Sequence, residues 1–465
     1  MDQKIFEQIK ELTKQINQLP KGYISTKTIG NSVYYYLQWN ENGKKYSKYL
    51  SDEEFLSLSV QIKERQKLES ELKLLKKGYS LSDVLFCSLM HLNSEVVDLT
   101  ISLETGQIQS IGALHSKELL PIGVGDNLNN LLEWWDDRSI PLTRLGIRDV
   151  LEKLNISDPK ALLLKCYALS LSDQYWIKPK NENIYWENIN FFDHDFSDDV
   201  GSILLNGDSK NKKLDLSSPD STSVGNLKKR WKIVNSKRVM IKGGSNPYRQ
   251  EPFNEVVASK IAKILGLNAT QYTLFYDNDY PYCECEDFVS KNQDLITAHQ
   301  INKVLKKNNS DSAYTHFTKC ASSLGIKDVG SFLDKLIVFD FIIANEDRHF
   351  NNFGFLRNAD TLEFVAPAPI FDSGASFGFD KLTSDIKAFH DVTSKPFKQE
   401  PLEQLKLVKS FDWLDLKSLN IIKKELLSYF KKYESKYLDN ERIAAIVKST
   451  NDRIDYLIKH LISKK

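Results

Sequence analysis

The apolar residues near the N-terminus recur at helical spacing. Ile5, Ile9, Leu12 and Ile16 are separated by three or four positions, which places them on one face of a helix. Pro20 cannot continue that helix, so we expect it to end just before this residue.

Three short strands follow, because polar and apolar side chains then alternate between turn residues. The strands are predicted at Tyr23–Ile29, Val33–Trp39 and Lys44–Leu50. The turns between them are predicted at Gly30-Asn31 and Asn42-Gly43, since these residues tolerate positive φ.

A long charged helix closes this part of the chain. Ser51 and Glu54 form a capping-box pattern at its start, and Gly78 is its predicted end. Residues 1–77 are therefore predicted to form a separate accessory module of helix, small sheet and helix.

The rest of the chain changes character twice. Residues 78–205 mix strands and helices, residues 206–295 have strand character, and residues 296–465 are mainly helical. The elements predicted from the pattern are a hairpin of Val96–Ile101 with Gln107–Ala113, helices at Leu128–Trp135, Leu142–Leu154 and Asp158–Leu169, a hairpin of Trp231–Val234 with Arg238–Lys242, a helix at Pro252–Leu265, strands at Gln271–Tyr276 and Cys283–Val289, and a hairpin of Phe353–Arg357 with Leu362–Phe364. We therefore expect an α+β protein in which a β-rich unit precedes a helical unit.

Composition restricts the classes of function. The 465 residues contain 63 Lys and Arg against 62 Asp and Glu, so no overall charge favours a nucleic acid or a membrane. The N-terminus is charged where a signal peptide needs an apolar run, and no segment reaches the roughly 20 apolar residues of a membrane span. The five cysteines are scattered and lack metal-ligand spacing. A reduced, cytoplasmic protein is the simplest interpretation.

The N-terminal module is the local exception in charge. Residues 1–77 hold 14 Lys and Arg against 10 Asp and Glu, a net charge of +4, interleaved with Tyr34, Tyr35, Tyr36 and Trp39. This pattern is typical of a nucleic-acid surface. Solvated lysines on an adaptor of helix, hairpin and helix would give the same composition. Both interpretations stay open, and nucleic acid is expected only through residues 1–77.

The strongest chemical signal lies between residues 345 and 374. Asp347 and Asn352 are five positions apart in one polar loop, and Asp372 follows an apolar run and precedes Ser373-Gly374. Phosphate transfer needs such groups: one carboxylate that orients or deprotonates an attacking hydroxyl, and oxygen ligands for Mg²⁺. Asp347 is therefore the predicted catalytic residue, and Asn352 and Asp372 are the predicted metal ligands.

Residues elsewhere complete the predicted site. Lys242 ends an apolar strand, where its cation would reach the phosphates of ATP, and Glu255 on the next helix is its candidate partner. Ser223 and Gly225 lie in a polar loop whose backbone N–H groups would cradle phosphate oxygens. Each feature also has an ordinary explanation, because strand-end lysines, helix glutamates and Ser/Gly loops are usually just solvated.

Two residues near Asp347 are predicted to support its loop. His349 would brace the loop through a hydrogen bond, and Asp340 would accept backbone N–H groups from the turn. A metal-dependent hydrolase built on Asp347, His349 and Asp372 is the rival interpretation. It lacks further ligands at metal spacing and gives the predicted ATP lysine no role.

With these motifs, residues 80–430 resemble the HipA-type serine/threonine kinases, the toxin half of bacterial toxin–antitoxin pairs. The resemblance rests on Asn345-x-Asp347-x-His349-x-x-Asn352-Phe353 and Pro369-Ile370-Phe371-Asp372-Ser373-Gly374, with support from Trp134 through Arg138-Ser139-Ile140-Pro141, Ser172-Asp173-Gln174-Tyr175-Trp176 and Lys395-Pro396-Phe397. It implies a two-lobed, protein-kinase-like fold with a β-rich N-lobe and a helical C-lobe. It also implies a separate DNA-binding antitoxin as a partner.

The resemblance assigns roles to individual residues. It implies that Asp347 is the catalytic aspartate, that Asn352 and Asp372 bind Mg²⁺, and that Lys242 contacts ATP phosphate. Ser223 falls at the position of a regulatory, autophosphorylated serine in the phosphate loop. The neighbouring hydroxyl at residue 221 is the alternative position for that serine.

The segment Cys285-Glu286-Asp287-Phe288 falls where the hinge of such kinases holds adenine, so Glu286 and Phe288 are candidate adenine contacts. Two features depart from the family. Many relatives have lysine where this chain has Asn351, and residues 1–77 are not part of the usual HipA chain.

The sequence therefore predicts an ATP- and Mg²⁺-dependent serine/threonine kinase that phosphorylates a protein target and itself. Two other functions stay open. One is a catalytically degenerate, kinase-fold regulator that acts through residues 1–77. The other is a small-molecule phosphotransferase, because such enzymes use similar Asp/Asn/Asp centres.

Overall fold

Contacts along the chain divide it into two units, Met1–Leu119 with Ile177–Asn183 and Leu120–Trp176 with Ile184–Lys465. The computed structural model describes residues 3–29, 32–41, 44–76, 81–144, 146–206, 214–223, 225 and 227–463. The predicted domain boundaries at residues 77, 205 and 295 stay predictions. The turns predicted at residues 30–31 and 42–43 and the helix end predicted at Gly78 lie outside the described residues.

The first unit begins with a helix, a small antiparallel sheet of three strands and a second helix, in that order along the chain. Its elements are α1 (Gln3–Gln18), β1 (Tyr23–Ile29), β2 (Ser32–Glu41), β3 (Lys44–Leu50), α2 (Asp52–Lys76), β4 (Val84–His91), β5 (Ser94–Ser102), β6 (Ile108–Leu114) and the strand β7 (Tyr175–Pro179), which crosses into it from the second unit. The sheets have the orders β1-β2-β3 and β6-β5-β4-β7. The predicted first helix and three strands are confirmed, whereas β4 was not predicted.

The apolar spacing of α1 explains how the two helices pack. Leu12 and Ile16 are buried against Leu68 and Leu75 of α2. The capping box predicted at the start of α2 is also confirmed. The Ser51 backbone N–H donates to the Glu54 carboxylate (3.0 Å), and the Glu54 N–H donates to Ser51 Oγ (3.3 Å).

The second unit combines a four-stranded sheet with a helical region. Its elements are α3 (Asn130–Arg138), α4 (Ile147–Leu154), α5 (Lys160–Leu163), α6 (Asp199–Asn206), β8 (Lys229–Val234), β9 (Lys237–Gly243), α7 (Glu251–Ile264), β10 (Thr273–Asp277), β11 (Tyr280–Glu286), β12 (Gln293–Thr297), α8 (Ala298–Asn302), α9 (Ala313–Ser323), α10 (Val329–Ile343), β13 (Gly354–Asn358), β14 (Phe364–Pro367), α11 (Pro401–Leu405), α12 (Leu416–Lys431) and α13 (Asn440–Ser463). The sheets have the orders β10-β11-β9-β8 and β12-β13-β14. The predicted sequence of a β-rich part and then a helical part is confirmed.

The β8–β9 hairpin turns where the sequence predicts. Asn235 and Ser236 have φ of 50° and 63°, the left-handed conformation of a two-residue hairpin turn. The register pairs Lys229 with Lys242 at the open end of the hairpin. That end of the sheet therefore carries two cations side by side.

The helical region packs around α10. This helix is apolar on nearly all sides and is buried from Leu333 through Ile343 with one partly buried interruption. A helix that is hydrophobic all round belongs in a protein core. It packs in one cluster with residues of α7, α9, α12 and α13, among them Phe253, Phe317, Leu426 and Leu457.

Two helices in the second unit are shorter than predicted. The helix predicted at Leu142–Leu154 is observed only as Ile147–Leu154, since Gly146 before it has a left-handed φ of 88°. The helix predicted at Asp158–Leu169 is observed as Lys160–Leu163 followed by one tighter turn. Tyr167 and Ala168 have φ of 51° and 53°, which no helix interior accommodates.

The five cysteines are all buried and free, in agreement with the expected reduced state. Among the described residues, none of the helices combines the length and the apolar character that crossing a membrane would require.

Two adjacent leucines of α12 test the packing of this core. Leu426 is fully buried, whereas the Leu427 residue is 47% exposed. We expect Leu426→Ala to lower the free energy of unfolding by about 2–5 kcal/mol, because it leaves a cavity. Leu427→Ala is the matched control and should cost less than about 1 kcal/mol. Urea unfolding followed by circular dichroism measures both, and equal effects would contradict this packing.

Candidate active site

The core of the site is a buried lysine held between two carboxylates. Lys242 Nζ on β9 lies 2.8 Å from Glu255 Oε1 on α7 and 2.7 Å from Asp372 Oδ1. It also lies 3.3 Å from the Tyr272 hydroxyl. The sheet, the helix and the loop after residue 370 therefore meet at one cation, as the predicted pairing of Lys242 with Glu255 requires.

The charges in this cluster stabilise one another. Burial by itself would lower the pKa of Lys242, but Asp372 and Glu255 raise that pKa well above its ordinary value. Burial likewise opposes ionisation of Asp372, yet Lys242 and Lys229 hold the pKa of Asp372 well below its usual range. The ammonium and the Asp372 carboxylate are thus both charged at neutral pH.

The turn that carries Asp372 is fixed by α7. Asp372 has a φ of 55°, an uncommon conformation for a non-glycine residue. The N–H of Ser373 donates to Glu255 Oε2 at 2.9 Å. A Cβ on Gly374 would lie 3.1 Å from Cβ of Glu251, so a larger residue there would push the turn away from the helix by a few tenths of an ångström.

A buried arginine organises the loop of Asp347. Arg348 is 0% exposed and pairs with Asp340 at 2.9 Å. It also donates to the carbonyl of Asn352 (2.7 Å), to the carbonyl of Phe371, and to Ser373 Oγ (3.0 Å). One guanidinium therefore joins the loop of Asn352 to the turn of Asp372.

Asp340 supports this loop in a way that differs from the expectation. Its carboxylate accepts hydrogen bonds from the side chains of Arg348 and of Asn345 (2.9 Å), rather than from the predicted backbone N–H groups. Asn345 in turn accepts from the N–H of Asp347 at 3.0 Å. Asp340 thus reaches Asp347 through one intervening side chain.

Asn352 is oriented so that its amide oxygen is available. Its Nδ2 donates to the carbonyl of Asp347 at 2.9 Å, and the structure gives no described donor to its Oδ1. Asp372 uses one carboxylate oxygen for Lys242 and leaves the other for a further ligand. A carboxylate and an amide oxygen are the ligand types that Mg²⁺ prefers, so these residues fit a magnesium ion.

His349 has a weaker place in the site than the sequence suggests. Its side chain is 44% exposed, and its Nε2 lies 3.7 Å from Asp347 Oδ2. Its Nδ1 accepts from the N–H of Asn351 at 3.2 Å. The bracing role expected of His349 is performed mainly by its neighbour Arg348.

A second lysine contacts Asp347 from a distant segment. Lys395 Nζ lies 2.8 Å from Asp347 Oδ1, and both side chains are partly exposed. The N–H of Thr393 donates to Glu346 at 3.2 Å, so the same segment is fixed to the loop of Asp347 at a neighbouring point. Sequence reasoning missed this role of Lys395, because 48 positions separate it from Asp347.

The backbone around Lys395 is held firmly. Gln404 Oε1 accepts from the N–H groups of Phe397 and Lys398, both at 3.0 Å. The Phe397 ring is buried against Phe317 and Phe350, with centroid separations of 6.1 and 5.7 Å. These contacts position the ammonium of Lys395 over the loop of Asp347.

The loop of Ser223 and Gly225 is packed inward by an arginine. Arg144 Nη1 donates to Ser223 Oγ at 2.7 Å and Nε donates to the Gly225 carbonyl at 2.8 Å. Ser223 Oγ donates to the carbonyl of Asp220 at 2.8 Å. Residues 224 and 226 lie outside the described residues. Ser223 thus has a buried hydroxyl that both donates and accepts a hydrogen bond, and no local sequence signal predicted its contact with Arg144.

Lys229 adds a further cation beside this loop. A Cβ placed on Gly225 would lie 2.9 Å from Lys229 Nζ, so the ammonium rests against the glycine. Burial, together with the positive charge of Arg144, lowers the pKa of Lys229 to about 7. An anion bound at this position would restore its full charge.

The proposed adenine segment lies at the end of β11. Glu286 is exposed and pairs with Lys237 at 2.7 Å, so its carboxylate does not point inward. The Phe288 ring packs near Phe371, with a centroid separation of 5.3 Å, which places it beside the turn of Asp372. Burial raises the pKa of the intervening Asp287 to about 8.

Most of the predicted site residues therefore lie in one region. Lys242 contacts both Glu255 and Asp372 directly, and Arg348 links this cluster to the loop that carries Asp347 and Asn352. The structure adds the contacts of three basic residues for which the sequence predicted no role in the site, namely Arg348, Lys395 and Arg144.

Comparison with known proteins gives two family matches. The HipA-like C-terminal domain family matches residues 213–453. A domain of unknown function, DUF6788, matches residues 2–57. The second match coincides with most of the N-terminal module and carries no function.

Relatives in sequence and structure are distant. The serine/threonine-protein kinase CtkA of Helicobacter pylori is 28% identical over 134 residues, which are 28% of this chain and 41% of that protein. The chain thus spans less than half of that relative in the sequence comparison. The crystal structure of a Helicobacter pylori proinflammatory kinase CtkA has a TM-score of 0.39 at 20% identity, covering 50% of this chain and 93% of that one. HipA from Shewanella oneidensis, in complex with HipB and its operator DNA, has a TM-score of 0.46 at 14% identity, covering 80% and 97%.

Arg348 provides a test of how the site is held together. Arg348→Met keeps much of the side-chain volume but leaves Asp340 as a buried, unpaired carboxylate. We expect the free energy of unfolding to fall by about 3–5 kcal/mol. His349→Ala, at the next position, removes a half-exposed side chain and should change stability by less than about 1 kcal/mol. Thermal and urea unfolding measure both variants, and a stable Arg348→Met protein would refute the structural role of the pair.

Proposed function

Since the matched residues 213–453 make up more than half of the chain, it belongs to the HipA-like C-terminal domain family, and from this premise we propose that it is an ATP- and Mg²⁺-dependent protein kinase. The family match confirms the predicted resemblance and the α+β fold class that goes with it. The reaction proposed is transfer of the γ-phosphate of ATP to a serine or threonine of a protein.

The observation that carries this proposal is the position of Lys242. Its cation is buried between Glu255 and Asp372 and is connected through Arg348 to the loop of Asp347 and Asn352. In phosphoryl transfer the protein mainly positions groups and compensates charge. A fixed cation beside an ionised carboxylate is the arrangement that such positioning requires.

We assign the remaining roles as follows. Lys242 would hold ATP phosphate oxygens, and Asn352 and Asp372 would hold Mg²⁺, which supplies charge neutralisation to the phosphates when it is bound. Asp347 is exposed enough to receive a substrate hydroxyl, whose proton it would accept or orient. Phe288 would contact adenine, while Glu286 would contribute through its backbone.

Autophosphorylation at Ser223 is a further part of the proposal. Its hydroxyl is buried and bonded to Arg144 and to the Asp220 carbonyl. The loop would therefore have to leave this position before the hydroxyl could receive phosphate. A toxin role, a HipB-type antitoxin partner and a cytoplasmic location are proposed from family membership.

Substitution of the two key carboxylates tests the reaction. We expect Asp347→Ala and Asp372→Ala each to reduce phosphate transfer from labelled ATP by at least about a hundredfold, since each removes a group needed for transfer. Asp347→Ala should still bind Mg-ATP. Intact-mass measurement and phosphosite mapping of the wild-type protein, incubated with Mg-ATP, detect autophosphorylation and locate the modified residue.

Three outcomes are distinguishable. Activity that survives both substitutions would refute the site. Tight nucleotide binding without transfer in the wild type would favour the degenerate regulator. Phosphorylation of a small molecule, but of no protein and not of the enzyme itself, would favour the phosphotransferase.

We expect Lys395 to affect the rate of phosphate transfer more than the free energy of unfolding. Its exposed pair with Asp347 is worth at most about 1 kcal/mol to folding. Near the transferred phosphate its charge matters more, so we expect Lys395→Ala to lower kcat about tenfold or more while the KM for ATP changes little.

Lys398→Ala is the matched control for this experiment. Lys398 lies on the same segment and is exposed, and the structure gives its ammonium no described partner. It should leave kcat unchanged, and Lys395→Arg should restore part of the lost rate. Equal rates for Lys395→Ala and Lys398→Ala would rule out the proposed role.

A further inference from the structure

One face of the N-terminal sheet is chemically unlike the other. Tyr35 of β2 stacks on Phe55 of α2, with ring centroids 3.8 Å apart, and its β3 partner Leu50 is buried. These residues define the face that lies toward α2. Because side chains alternate along a strand, the neighbouring residues point away from the helix.

Four tyrosines lie on the face turned away from α2. The register places Tyr36 opposite Tyr49, and Tyr23 opposite Gln38. Tyr49 contacts the rings of Tyr34 and Tyr36 at centroid separations of 6.3 and 5.7 Å. We call Tyr23, Tyr34, Tyr36 and Tyr49, with Lys27 and Lys45, the tyrosine face.

The tyrosine face is accessible. Tyr23 and Tyr49 are both 55% exposed, and Lys27 and Lys45 are exposed. Aromatic rings of this size usually bury much of their surface in a folded protein. Their exposure together on one sheet face marks a surface that can receive a partner.

The other side chains of the tyrosine face favour a nucleic acid over a protein as its partner. Its other described side chains are Ser25, Gln38, Asn40 and Ser47, so they include no carboxylate, and Ile29 at the end of β1 is the one aliphatic residue that the register places on this face. Glu41 lies on the opposite face, because it is an even number of positions from Tyr35 on the same strand. A protein partner would be expected to meet aliphatic groups as well, whereas rings, amides and cations without acids suit stacked bases and phosphates.

The positive charge of the strands also favours a nucleic acid. Residues 23–50 contain four lysines and one glutamate, although the whole chain is close to neutral. Two of these lysines, Lys44 and Lys48, lie on the face toward the helix, where Lys44 is opposite Glu41 in the register and Lys48 pairs with Glu54 at 2.8 Å. The other two, Lys27 and Lys45, lie on the tyrosine face, whose described side chains include no acid to compensate them.

We propose that the tyrosine face binds single-stranded nucleic acid, with the rings of Tyr36 and Tyr49 stacking on bases and with Lys27 and Lys45 contacting phosphates. Stacking on an open sheet face needs unpaired bases, so the single strand is favoured over the duplex. This binding is independent of the proposed phosphate transfer, because every residue involved lies in the first unit.

The test uses the full chain and fluorescence anisotropy. The probes are a labelled single-stranded DNA of roughly 15 nucleotides, the same sequence as RNA, and its DNA duplex. We expect either single strand to bind more tightly than the duplex. The double variant Tyr36→Ala with Tyr49→Ala should bind at least about tenfold more weakly, whereas Tyr36→Phe with Tyr49→Phe should retain binding because the rings remain.

A second pair of variants tests the charges without touching the rings. Lys27→Ala with Lys45→Ala should reduce the slope of log affinity against log salt by about 1.4, the value for two phosphate contacts on a single strand. Lys10→Ala with Lys14→Ala removes the same charge from exposed positions on α1 and should leave the slope unchanged.

Several results would overturn the proposal. The first is the absence of binding to every probe at low salt. The second is unchanged binding by both the Tyr36→Ala/Tyr49→Ala variant and the Lys27→Ala/Lys45→Ala variant. The third is a duplex bound as tightly as the single strands. Circular dichroism of each variant shows whether the module is folded. Autophosphorylation measured in parallel separates a loss of nucleic-acid binding from a failure of the proposed kinase reaction.

Discussion

The structure of the second unit depends on how a buried positive charge is compensated. Lys242 lies where a single ammonium would be strongly destabilised, and Glu255 and Asp372 remove that cost only if strand, helix and turn hold their positions. The same three elements form the walls of the candidate site. The residues that satisfy this charge are thus the same ones for which we propose ATP and Mg²⁺ binding.

Arg348 extends this constraint to the loop of Asp347 and Asn352. It is fully buried and is bonded to a carboxylate, to two loop carbonyls and to a hydroxyl, so the loop of Asn352 cannot move independently of the turn of Asp372. Exposed residues sit on this rigid base. Asp347 and Lys395 lie at the surface and can meet a substrate, while the groups that position them are buried.

The candidate site of the second unit and the N-terminal sheet differ in how their polar groups are arranged. Around Lys242 and Arg348 in the second unit, the charged groups are buried and paired with one another. On the N-terminal sheet the aromatic and cationic groups are exposed and lack acidic neighbours among the described residues of their face. The first arrangement suits catalysis in a fixed site, and the second suits reversible binding of an extended ligand.

The sequence by itself determined the α+β class, the order of a β-rich part before a helical part and the N-terminal strands. It also singled out Asp347, Asn352, Asp372 and Lys242 as candidate site residues, and their roles stay predictions. These features follow from local periodicity, from turn and cap residues, and from motifs whose members lie close together in the chain. Periodicity failed where backbone conformation changes within an apolar run, as at Gly146 and at Tyr167, because left-handed residues interrupt helices whose side-chain pattern continues.

Only the tertiary structure decided which charged residues meet. The chain contains 63 Lys and Arg residues. Nothing local predicts the partners of Arg144, Arg348 or Lys395, although Lys395 lies in one of the motifs that carry the family resemblance. Their partners lie 79, 8 and 48 positions away and are brought close by packing of apolar elements. Burial then gives these contacts their importance, since a charge matters most where water cannot replace its partner.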